Sequence, residues 1–426
     1  MTAPTADSTA HPDTPSQPAP GPLAGLRVVE LGQLLAGPFC ATILGYFGAE
    51  VIKVEPHSGD PIRKWRALDG TGTSYWWYSL GRNKRCVTLD LKQDEGRALA
   101  RRLIDRADVL VENFRPGTLE RWGLAPDALR ATNPGLVVAR ISGYGQTGPK
   151  ARQPGYASVC EGFGGLRYVN GHPGERPVRA NLSIGDTLAG LHAAIGVLMG
   201  LLGRGWRSPA ARDASDRGQD VRGQDVDVGI FEAVYNLMEG VVPEFSGGGL
   251  VREPSGSTIT GIVPTNTYAT RDGKWLIIGG NGEAIFQRLM RAAGRPEMAA
   301  DPRFAGNENR VLHEAELDRA LAEWTSTLTL AEALDALAEA EVPGGPIYSV
   351  RDMAGDPQYR ARGLFEAVDT PVGPLEIPAI VPRLTATPGR TEWPGPALGA
   401  HNREVYCDLL GLTPDQLDAL RAQGVV

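Results

Sequence analysis

The chain has 426 residues, a formal net charge of −7 at pH 7 and 42% hydrophobic residues. This length is typical of two domains, and the hydrophobic fraction is enough for a sizeable core. The acidic balance argues against a nucleic-acid surface, because such a surface needs clustered basic residues. The 4 cysteines lie far apart, with no CxxC pair and no neighbouring histidine. We therefore predict no metal site and a reducing compartment.

Two further segments bear on localisation. Residues 1–20 are rich in Pro, Ser, Thr and Ala and lack an apolar run, so they predict a disordered tail and not a signal peptide. The apolar stretch Leu188–Leu202 is interrupted by Gly190, His192 and Gly196, and we expect it to be too short to span a bilayer. Both features predict a cytoplasmic protein.

The N-terminal half alternates strand and helix patterns. Leu26–Leu31 predicts a buried strand, Phe39–Phe47 a helix and Glu50–Glu55 a second strand. Strands joined in this way run parallel. The pattern continues through a strand, a helix and two more strands at Cys86–Leu91, Glu95–Arg106, Val109–Glu112 and Leu136–Ile141. This half therefore predicts an α/β fold with an open, Rossmann-like parallel sheet.

The middle of the chain combines a long helix with a tandem repeat. Asp186–Leu202 has apolar residues at helical spacing and predicts one helix. Further on, Arg217–Val221 is repeated without change as Arg222–Val226. Five residues are too few for a solenoid unit, so we interpret the repeat as a duplication inside an exposed loop, where insertions are tolerated.

A second region with mixed helices and strands follows the repeat. Ile230–Glu239 predicts a helix, Gly247–Gly261 a loop, and Thr265–Gly279 a hairpin that turns at Asp272–Gly273. Helical patterns then continue to Ala340, and the C-terminal tail ends in a helix. The predicted organisation is a tail at 1–20, a large domain beginning at 21–203, a linker at 204–227, a smaller α+β domain at 228–342 and a C-terminal part at 343–426.

Two segments of the first half could bind a phosphate-bearing ligand. The turn Gly32–Pro38 follows the first strand, as a dinucleotide-binding loop does, but it has neither GxGxxG nor the Lys-Ser/Thr of a P-loop. NAD binding is thus the minor interpretation, and another ligand or plain packing the major one. Arg82–Arg85 carries three cations, which indicate either a solvated loop or a phosphate clamp.

Two other segments have both a structural and a catalytic interpretation. Asp186 precedes an apolar helix and could be its N-cap, or a carboxylate nucleophile that the helix N-terminus keeps ionised. Gly279–Gly282 could be a plain exit from the hairpin, or a flexible loop that closes over a reacting group. The pattern alone leaves both alternatives open.

Six short segments form an ordered set of motifs: Leu35–Pro38, Gly48–Glu55, Asn83–Arg85, Val111–Gly117, Gly185–Asp186 and Gly223–Val228. Each is weak alone, whereas six in this order are a specific signature. Taken together they resemble the class III CoA-transferase family, which includes formyl-CoA:oxalate and carnitine CoA-transferases and a racemase branch. The likeness extends from Leu23 to Leu412.

The resemblance implies both an architecture and a mechanism. The large Rossmann-like domain would combine the N-terminal half with the C-terminal tail, and two chains would interlock as a homodimer. Asp186 would attack the acyl-CoA carbonyl, form an aspartyl–acyl anhydride and release CoA thiolate. An acceptor carboxylate would then take over the CoA. The implied substrates are an acyl-CoA and a small carboxylic acid, with CoA as a substrate and no tightly bound cofactor.

The resemblance also assigns contacts to the substrate. Leu35 and Ala36 would lie against CoA near the reacting carbonyl, and Tyr156 beside the thioester. The residues that would hold the nucleotide and pantetheine are Leu89, Lys92, Asn113, Phe114, Arg115 and Arg121. Lys84 and Arg85 are further candidate cations for the CoA phosphates.

Some positions depart from formyl-CoA transferase. Leu35 stands where that enzyme has glutamine and Pro56 where it has arginine, while Pro154 and Ala157 replace a lysine and a glutamate. These changes argue against formyl-CoA and oxalate as substrates. The similarity of Gly261–Tyr268 to dicarboxylate-type members favours succinyl-CoA as donor and a dicarboxylate as acceptor.

The main alternative is a 2-methylacyl-CoA racemase or epimerase. That branch needs a histidine where this chain has Tyr156, and tyrosine is a poor base at neutral pH. A non-catalytic CoA-binding protein is the third possibility. Transfer of CoA through Asp186 is the function that the sequence favours.

Overall fold

The computed structural model describes residues 20–204 and 222–426. Its strands are Arg27–Glu30 (β1), Glu50–Glu55 (β2), Lys84–Thr88 (β3), Val109–Glu112 (β4), Val137–Ser142 (β5), Asp225–Gly229 (β6), Thr265–Ala269 (β7), Trp275–Gly279 (β8), Gly344–Pro346 (β9), Phe365–Thr370 (β10) and Gly373–Pro378 (β11).

The helices connect and flank these strands. In chain order they are Ala36–Tyr46 (α1), Tyr75–Leu80 (α2), Asp94–Ile104 (α3), Thr118–Arg121 (α4), Pro126–Arg130 (α5), Ala157–Phe163 (α6), Leu166–Val169 (α7), Ile184–Gly203 (α8), Ile230–Tyr235 (α9), Val241–Gly248 (α10), Glu283–Ala292 (α11), Pro296–Ala300 (α12), Asn307–Leu312 (α13), Glu314–Thr325 (α14), Leu330–Glu339 (α15), Val350–Gly355 (α16), Pro357–Ala361 (α17) and Pro414–Ala422 (α18). Two 3₁₀ turns, Pro61–Lys64 and Pro302–Phe304, and a π-helical turn, Glu404–Leu409, complete them.

A six-stranded sheet with the order β3-β2-β1-β4-β5-β6 forms the centre of the first half. Successive strands of this order pair in parallel from β3 through β2, β1 and β4 to β5. The strand order reverses between β1 and β4, which is the arrangement of doubly wound α/β sheets. Strands buried on both faces are typically continuous apolar runs, as in Val109–Val111. The predicted α/β fold with a parallel sheet is confirmed.

The contacts divide the chain into two compact units. Among the described residues, the first combines 20–141, 190–204, 222–227 and 366–426, and the second combines 142–189 and 228–365. The second unit is therefore larger than the segment expected at 228–342. An aromatic cluster accounts for part of the difference, because Phe163 of α6 packs against Tyr144 and against Phe231 of α9 with ring centroids 5.4 and 5.2 Å apart.

The C-terminal segment of the first unit contributes to that unit's core. The side chains of Tyr406, Val425 and Val426 are buried in the same cluster as Leu99 and Leu103 of α3. The hydroxyl of Tyr406 donates to the carbonyl of Thr88 at the end of β3 (2.8 Å). This segment is therefore an integral part of the first unit.

The second unit contains an antiparallel sheet in the order β7-β8-β9. The register pairs Thr265 with Gly279 and Ala269 with Trp275, so the predicted hairpin is confirmed. Its core is formed by the buried face of the sheet and by helices α11, α14 and α15. The predicted loop at Gly247–Gly261 begins later than expected, because α10 continues to Gly248.

The second copy of the tandem repeat leads into a strand. Asp225 and Val226 begin β6. Gln224, just before them, is hydrogen-bonded to β5, because its carbonyl oxygen accepts from Val138 N (2.9 Å). A Cβ added to Gly223 would lie 1.9 Å from the carbonyl oxygen of Leu136. The loop interpretation is thus wrong for Asp225 and Val226, and the first copy lies outside the described residues.

Helix α8 is longer than the expected Asp186–Leu202. It has 20 residues and is, within the described residues, the one helix long and apolar enough to cross a membrane, which corrects the expectation that the stretch is too short. Core helices of soluble proteins pass the same test. Ala189, Ala193 and Val197 on one side of α8 are fully buried in the protein.

Candidate active site

The predicted CoA contacts of the first unit lie at one edge of the parallel sheet. Leu35 and Ala36 follow β1, Leu89 follows β3, and Asn113 follows β4. Parallel strands have their carboxyl ends at the same edge, where doubly wound folds bind ligands beside the point at which the strand order reverses. Because β1 and β4 are neighbours, the reversal lies between the loops that carry Ala36 and Asn113.

The side chain of Asn113 is hydrogen-bonded to the loop after β1. Its Oδ1 accepts from Gln33 N (2.8 Å) and its Nδ2 donates to Gln33 O (2.8 Å). A Cβ at Gly32 would approach Oδ1 to 2.9 Å, so glycine is required for this close contact. The amide side chain therefore fixes the shape of the predicted CoA loop, which sequence analysis did not anticipate.

A buried charge network lies under the same loop. Lys53 Nζ is 2.7 Å from Glu30 Oε1 and 2.8 Å from Asp60 Oδ2, and Lys84 Nζ is 2.8 Å from Glu30 Oε2. All four side chains are fully enclosed. The neighbouring carboxylates raise the pKa of Lys53 despite its burial, and Lys53 lowers the pKa of Asp60.

The network holds the loop through its backbone. Lys53 Nζ donates to Gly32 O (2.9 Å), and Lys84 Nζ donates to Pro38 O (2.8 Å). Asp60 Oδ1 accepts from the amide of Leu34 (3.0 Å), whose φ of 65° lies in the left-handed region that non-glycine residues rarely adopt. The buried ions thus stabilise a strained loop conformation.

The phosphate-clamp interpretation of Arg82–Arg85 is wrong for Lys84, because burial and the ion pair with Glu30 leave it no access to a ligand. Arg82 is also buried and donates to Pro378 O (2.7 Å). Arg85 forms ion pairs with Glu50 (3.0 Å) and Glu404 (2.5 Å).

The other predicted contacts differ in exposure. Lys92, Arg115 and Arg121 are exposed cations, with Arg121 Nη2 donating to Thr118 Oγ1 (2.9 Å). Phe114 packs edge-on against Trp122 at the rim of the core. The side chain of Leu89 lies within that core, so a contact with CoA would involve its backbone. The role of these residues in CoA binding stays a prediction.

Asp186 lies in the first turn of α8 in the second unit. The helix begins at Ile184, so Asp186 is its third residue, and the N-cap interpretation is wrong. Its carboxylate is half-buried, and in the part of the chain that the structure describes it has no hydrogen bond or ion pair. A carboxylate oxygen without donors keeps its lone pairs available for attack on a carbonyl carbon.

Glu161 of α6 is a second carboxylate beside Asp186, and sequence analysis missed it. Its side chain is buried, and Oε1 accepts from the amide of Gly185 (3.2 Å), the residue before Asp186. Its Oε2 lies 3.5 Å from Nη2 of Arg167 and 3.3 Å from Nε of Arg179. The sequence offers no local sign of this role, because the groups come from four separate segments.

Burial and the Glu161 charge raise the pKa of Asp186 to about 6, and Arg179 opposes this rise. Burial, with Asp186 and Glu161, raises the pKa of the Cys160 thiol to about 11. Cys160 is therefore a neutral neighbour at physiological pH. The Asp186 carboxylate is ionised at neutral pH, yet it is more basic than an ordinary aspartate.

Tyr156 immediately precedes α6, and 68% of its surface is exposed. It therefore lies in the same unit as Asp186, and its side chain is free to contact a substrate. Gly279–Gly282 is tied down at two points, since Gly280 N donates to Pro264 O (2.8 Å) and Asn281 O accepts from Arg310 Nη2 (2.6 Å). These bonds favour the plain hairpin exit.

The described ranges 20–204 and 222–426 contain no group of three or more His, Cys, Asp or Glu side chains arranged to hold a metal ion.

Comparisons with known proteins identify the class. The family model described as CoA-transferase family III matches residues 23–402. The chain is similar to succinyl-CoA–D-citramalate CoA-transferase of Chloroflexus aurantiacus, with 46% identity over 96% of this chain and 100% of the relative. It is 40% identical to the succinyl-CoA–L-malate CoA-transferase alpha subunit of the same organism, over 95% of this chain and 92% of the relative.

A solved structure is also similar to this chain. A CAIB/BAIF family protein from Brucella suis has a TM-score of 0.79 and 32% identity, covering 92% of this chain and 100% of that one. The chain therefore belongs to CoA-transferase family III, and the family prediction is confirmed. It is an enzyme that transfers CoA from an acyl-CoA to a carboxylic acid.

Proposed function

We propose that this enzyme transfers CoA from succinyl-CoA to a dicarboxylic acid through an anhydride at Asp186. The two relatives described above are named for succinyl-CoA as donor and for citramalate or malate as acceptor. The observation that carries the catalytic assignment is the half-buried Asp186 carboxylate, which has no hydrogen-bond partner among the described residues. The same relatives are named as transferases, which favours transfer over racemisation.

The proposed reaction has two halves. An oxygen of ionised Asp186 attacks the thioester carbonyl, the C–S bond breaks, and CoA leaves as a thiolate. An acceptor carboxylate then attacks the aspartyl carbonyl of the anhydride and releases the donor acid, so that the acceptor becomes the acyl group. The thiolate attacks this acyl carbon, which yields the new thioester and restores the Asp186 carboxylate.

The raised pKa of Asp186 suits this chemistry. A carboxylate with a pKa of about 6 is a stronger nucleophile than an ordinary aspartate and is still ionised at neutral pH. The anhydride must be protected from water, because hydrolysis would waste the thioester. Tyr156, which is exposed in the same unit, is the proposed neighbour of the thioester.

In the first unit we assign the nucleotide and pantetheine to the carboxyl edge of the sheet. The exposed cations Lys92, Arg115 and Arg121 supply charge for the CoA phosphates. Leu35 and Ala36, on the loop held by the buried ions, are further proposed contacts of this unit with CoA. Phe114 and the backbone of Leu89 complete this part of the proposed site.

We also propose an interlocked homodimer in the cytoplasm. The outward side of α8 carries Leu191, Ile195, Met199 and Leu202, all exposed in the isolated chain. An apolar stripe at this helical spacing is typical of a surface that another protein covers. The alternative of a mixed assembly has a precedent in the malate relative, which is named as an alpha subunit.

The proposed function is tested by isotope exchange. Wild-type enzyme with succinyl-CoA and labelled succinate should incorporate label into succinyl-CoA. Asp186→Asn removes the nucleophile with little change of shape and should lower this exchange by at least about a thousandfold, the scale of losing a covalent catalyst. Hydroxylamine treatment during turnover should modify Asp186 in the wild type, as read by mass spectrometry of peptides.

Folding and CoA binding provide the control. Asp186→Asn should keep the circular-dichroism spectrum and the calorimetric affinity for free CoA. Exchange that persists in a folded Asp186→Asn variant would overturn the assignment of the nucleophile.

A further inference from the structure

Two arginines lie beside the nucleophile, and they differ in how they are held. Arg167 Nη2 donates to Ser158 Oγ at a short 2.7 Å and lies 3.5 Å from Glu161. Within the described residues, Arg179 makes only longer contacts, from Nε to Glu161 Oε2 (3.3 Å) and from Nη2 to Leu182 O (3.4 Å). Charge-assisted hydrogen bonds are normally shorter, so Arg179 is oriented by these contacts without being saturated by them.

The free end of Arg179 is accessible. Its side chain is 42% exposed although Glu161, to which it is tethered, is buried. Its Nη1 has no hydrogen-bond partner in the described parts of the chain. Glu161 links Arg179 to the start of α8, because its Oε2 accepts from Arg179 Nε (3.3 Å) and its Oε1 accepts from the amide of Gly185, the residue before Asp186 (3.2 Å). This places the guanidinium in the neighbourhood of the Asp186 carboxyl, on which it also acts electrostatically.

The formal charges change during the reaction. In the free enzyme, the carboxylates of Glu161 and Asp186 balance the guanidiniums of Arg167 and Arg179. When Asp186 becomes an anhydride it loses its negative charge, and two cations then face Glu161 alone. A second carboxylate on the attached acyl group restores the balance, whereas a methyl group does not. The cluster is therefore complementary to a dicarboxylyl intermediate.

We propose that Arg179 determines the substrate class of this enzyme by receiving the free carboxylate of the dicarboxylyl group attached to Asp186. This inference rests on the proposed reaction at Asp186 and adds the reason for a dicarboxylate preference. The guanidinium binds the distal carboxylate of the donor acid and then that of the acceptor, because both occupy the same acyl position in turn. Glu161 positions Arg179 and stays outside the covalent chemistry.

The test compares two exchange reactions that differ only in the distal group. Labelled succinate is exchanged into succinyl-CoA, and labelled butyrate into butyryl-CoA, which carries methyl where succinyl-CoA carries carboxylate. Arg179→Gln should lower kcat/KM for succinate exchange about ten- to hundredfold, the scale of one charge-assisted hydrogen bond. Butyrate exchange should be unchanged or faster. Arg176→Gln, an exposed arginine on the same loop, is the matched control and should change neither rate more than about twofold.

Arg179→Lys keeps the charge and should exchange succinate at least about threefold faster than Arg179→Gln. If wild-type butyrate exchange is too slow to measure, the comparison of the lysine and glutamine variants in succinate exchange tests the role of the Arg179 charge. Equal losses in both exchanges, an unchanged succinate rate in Arg179→Gln, or a lysine variant no better than glutamine would each overturn the proposal. Wild-type succinate exchange tests the proposed function separately, so the two failures are distinguishable.

Discussion

At the scale of single residues, Asp186 combines reactivity with a cost in stability. Its pKa is raised to about 6 in the folded protein, against an ordinary value of 3.8. Between these values the folded chain keeps a proton that the unfolded chain releases, so stability falls as pH rises through this window. Above about pH 6 the charged, half-buried carboxylate costs on the order of 2–3 kcal/mol. Shifted pKa values of this kind are common at active sites, where the free-energy cost of burying a charge accompanies its reactivity.

Glu161 should control the acid limb of the pH profile. Protonated Asp186 cannot attack a thioester, so wild-type kcat/KM should fall as pH drops through about 6. Glu161→Gln removes the charge that helps to raise this pKa, yet its amide oxygen can still accept from Gly185 N. The midpoint of the acid limb should therefore move to lower pH.

Glu175→Gln serves as the comparison for Glu161→Gln, because Glu175 is an exposed carboxylate of the same unit. Its profile should match that of the wild type. If the acid midpoint of Glu161→Gln also stays in place, the electrostatic role of Glu161 is refuted.

At the scale of elements, the buried ions between β1, β2 and β3 hold the loop that precedes α1. Lys84→Met removes the ion-pair partner of Glu30 Oε2, which makes no hydrogen bond, and leaves that oxygen buried and uncompensated. The free energy of unfolding should fall by about 3–5 kcal/mol, measured by urea denaturation. Arg85→Met breaks half-exposed pairs next to Lys84 and should cost about 1 kcal/mol or less. Similar losses in both variants would mean that burial of the network does not govern its stability.

The tandem repeat offers a second test at this scale, because it contains the same glycine twice. Gly223→Ala would bring a Cβ against the carbonyl of Leu136 and should lower the melting temperature by several degrees or prevent folding. Gly218→Ala changes the equivalent glycine of the first copy and, from the loop interpretation, should have little effect. Equal effects on the melting temperature would contradict the distinction between the copies.

At the scale of the whole molecule, each compact unit draws on distant parts of the chain. The first unit takes its core from the N-terminal half and from the segment after Glu366, including Tyr406. The second unit carries Asp186 and Glu161 and has a separate core around β7–β9. The net charge of −7 is compatible with binding CoA because the cations that we assign to its phosphates are local and exposed.

The sequence by itself determined the α/β class, the parallel strands and the hairpin, because apolar runs and Asp-Gly turns act within short windows. The family came from the resemblance of six ordered motifs, and that resemblance is also the source of the proposal that Asp186 is the nucleophile. The same reasoning misjudged Lys84, whose charged sequence neighbourhood indicates exposure, although the fold encloses it beside Glu30.

Only the tertiary structure decided which charges meet. Glu161, Arg167, Arg179 and Asp186 come from separate segments, and their coupling depends on how α6 packs beside the start of α8. Likewise, two identical repeats cannot be told apart by sequence, and the second copy is placed beside β5 by hydrogen bonds from Gly223 N to Pro134 O and from Val138 N to Gln224 O. Burial and long-range contacts are properties of the folded chain, which is why local patterns do not contain them.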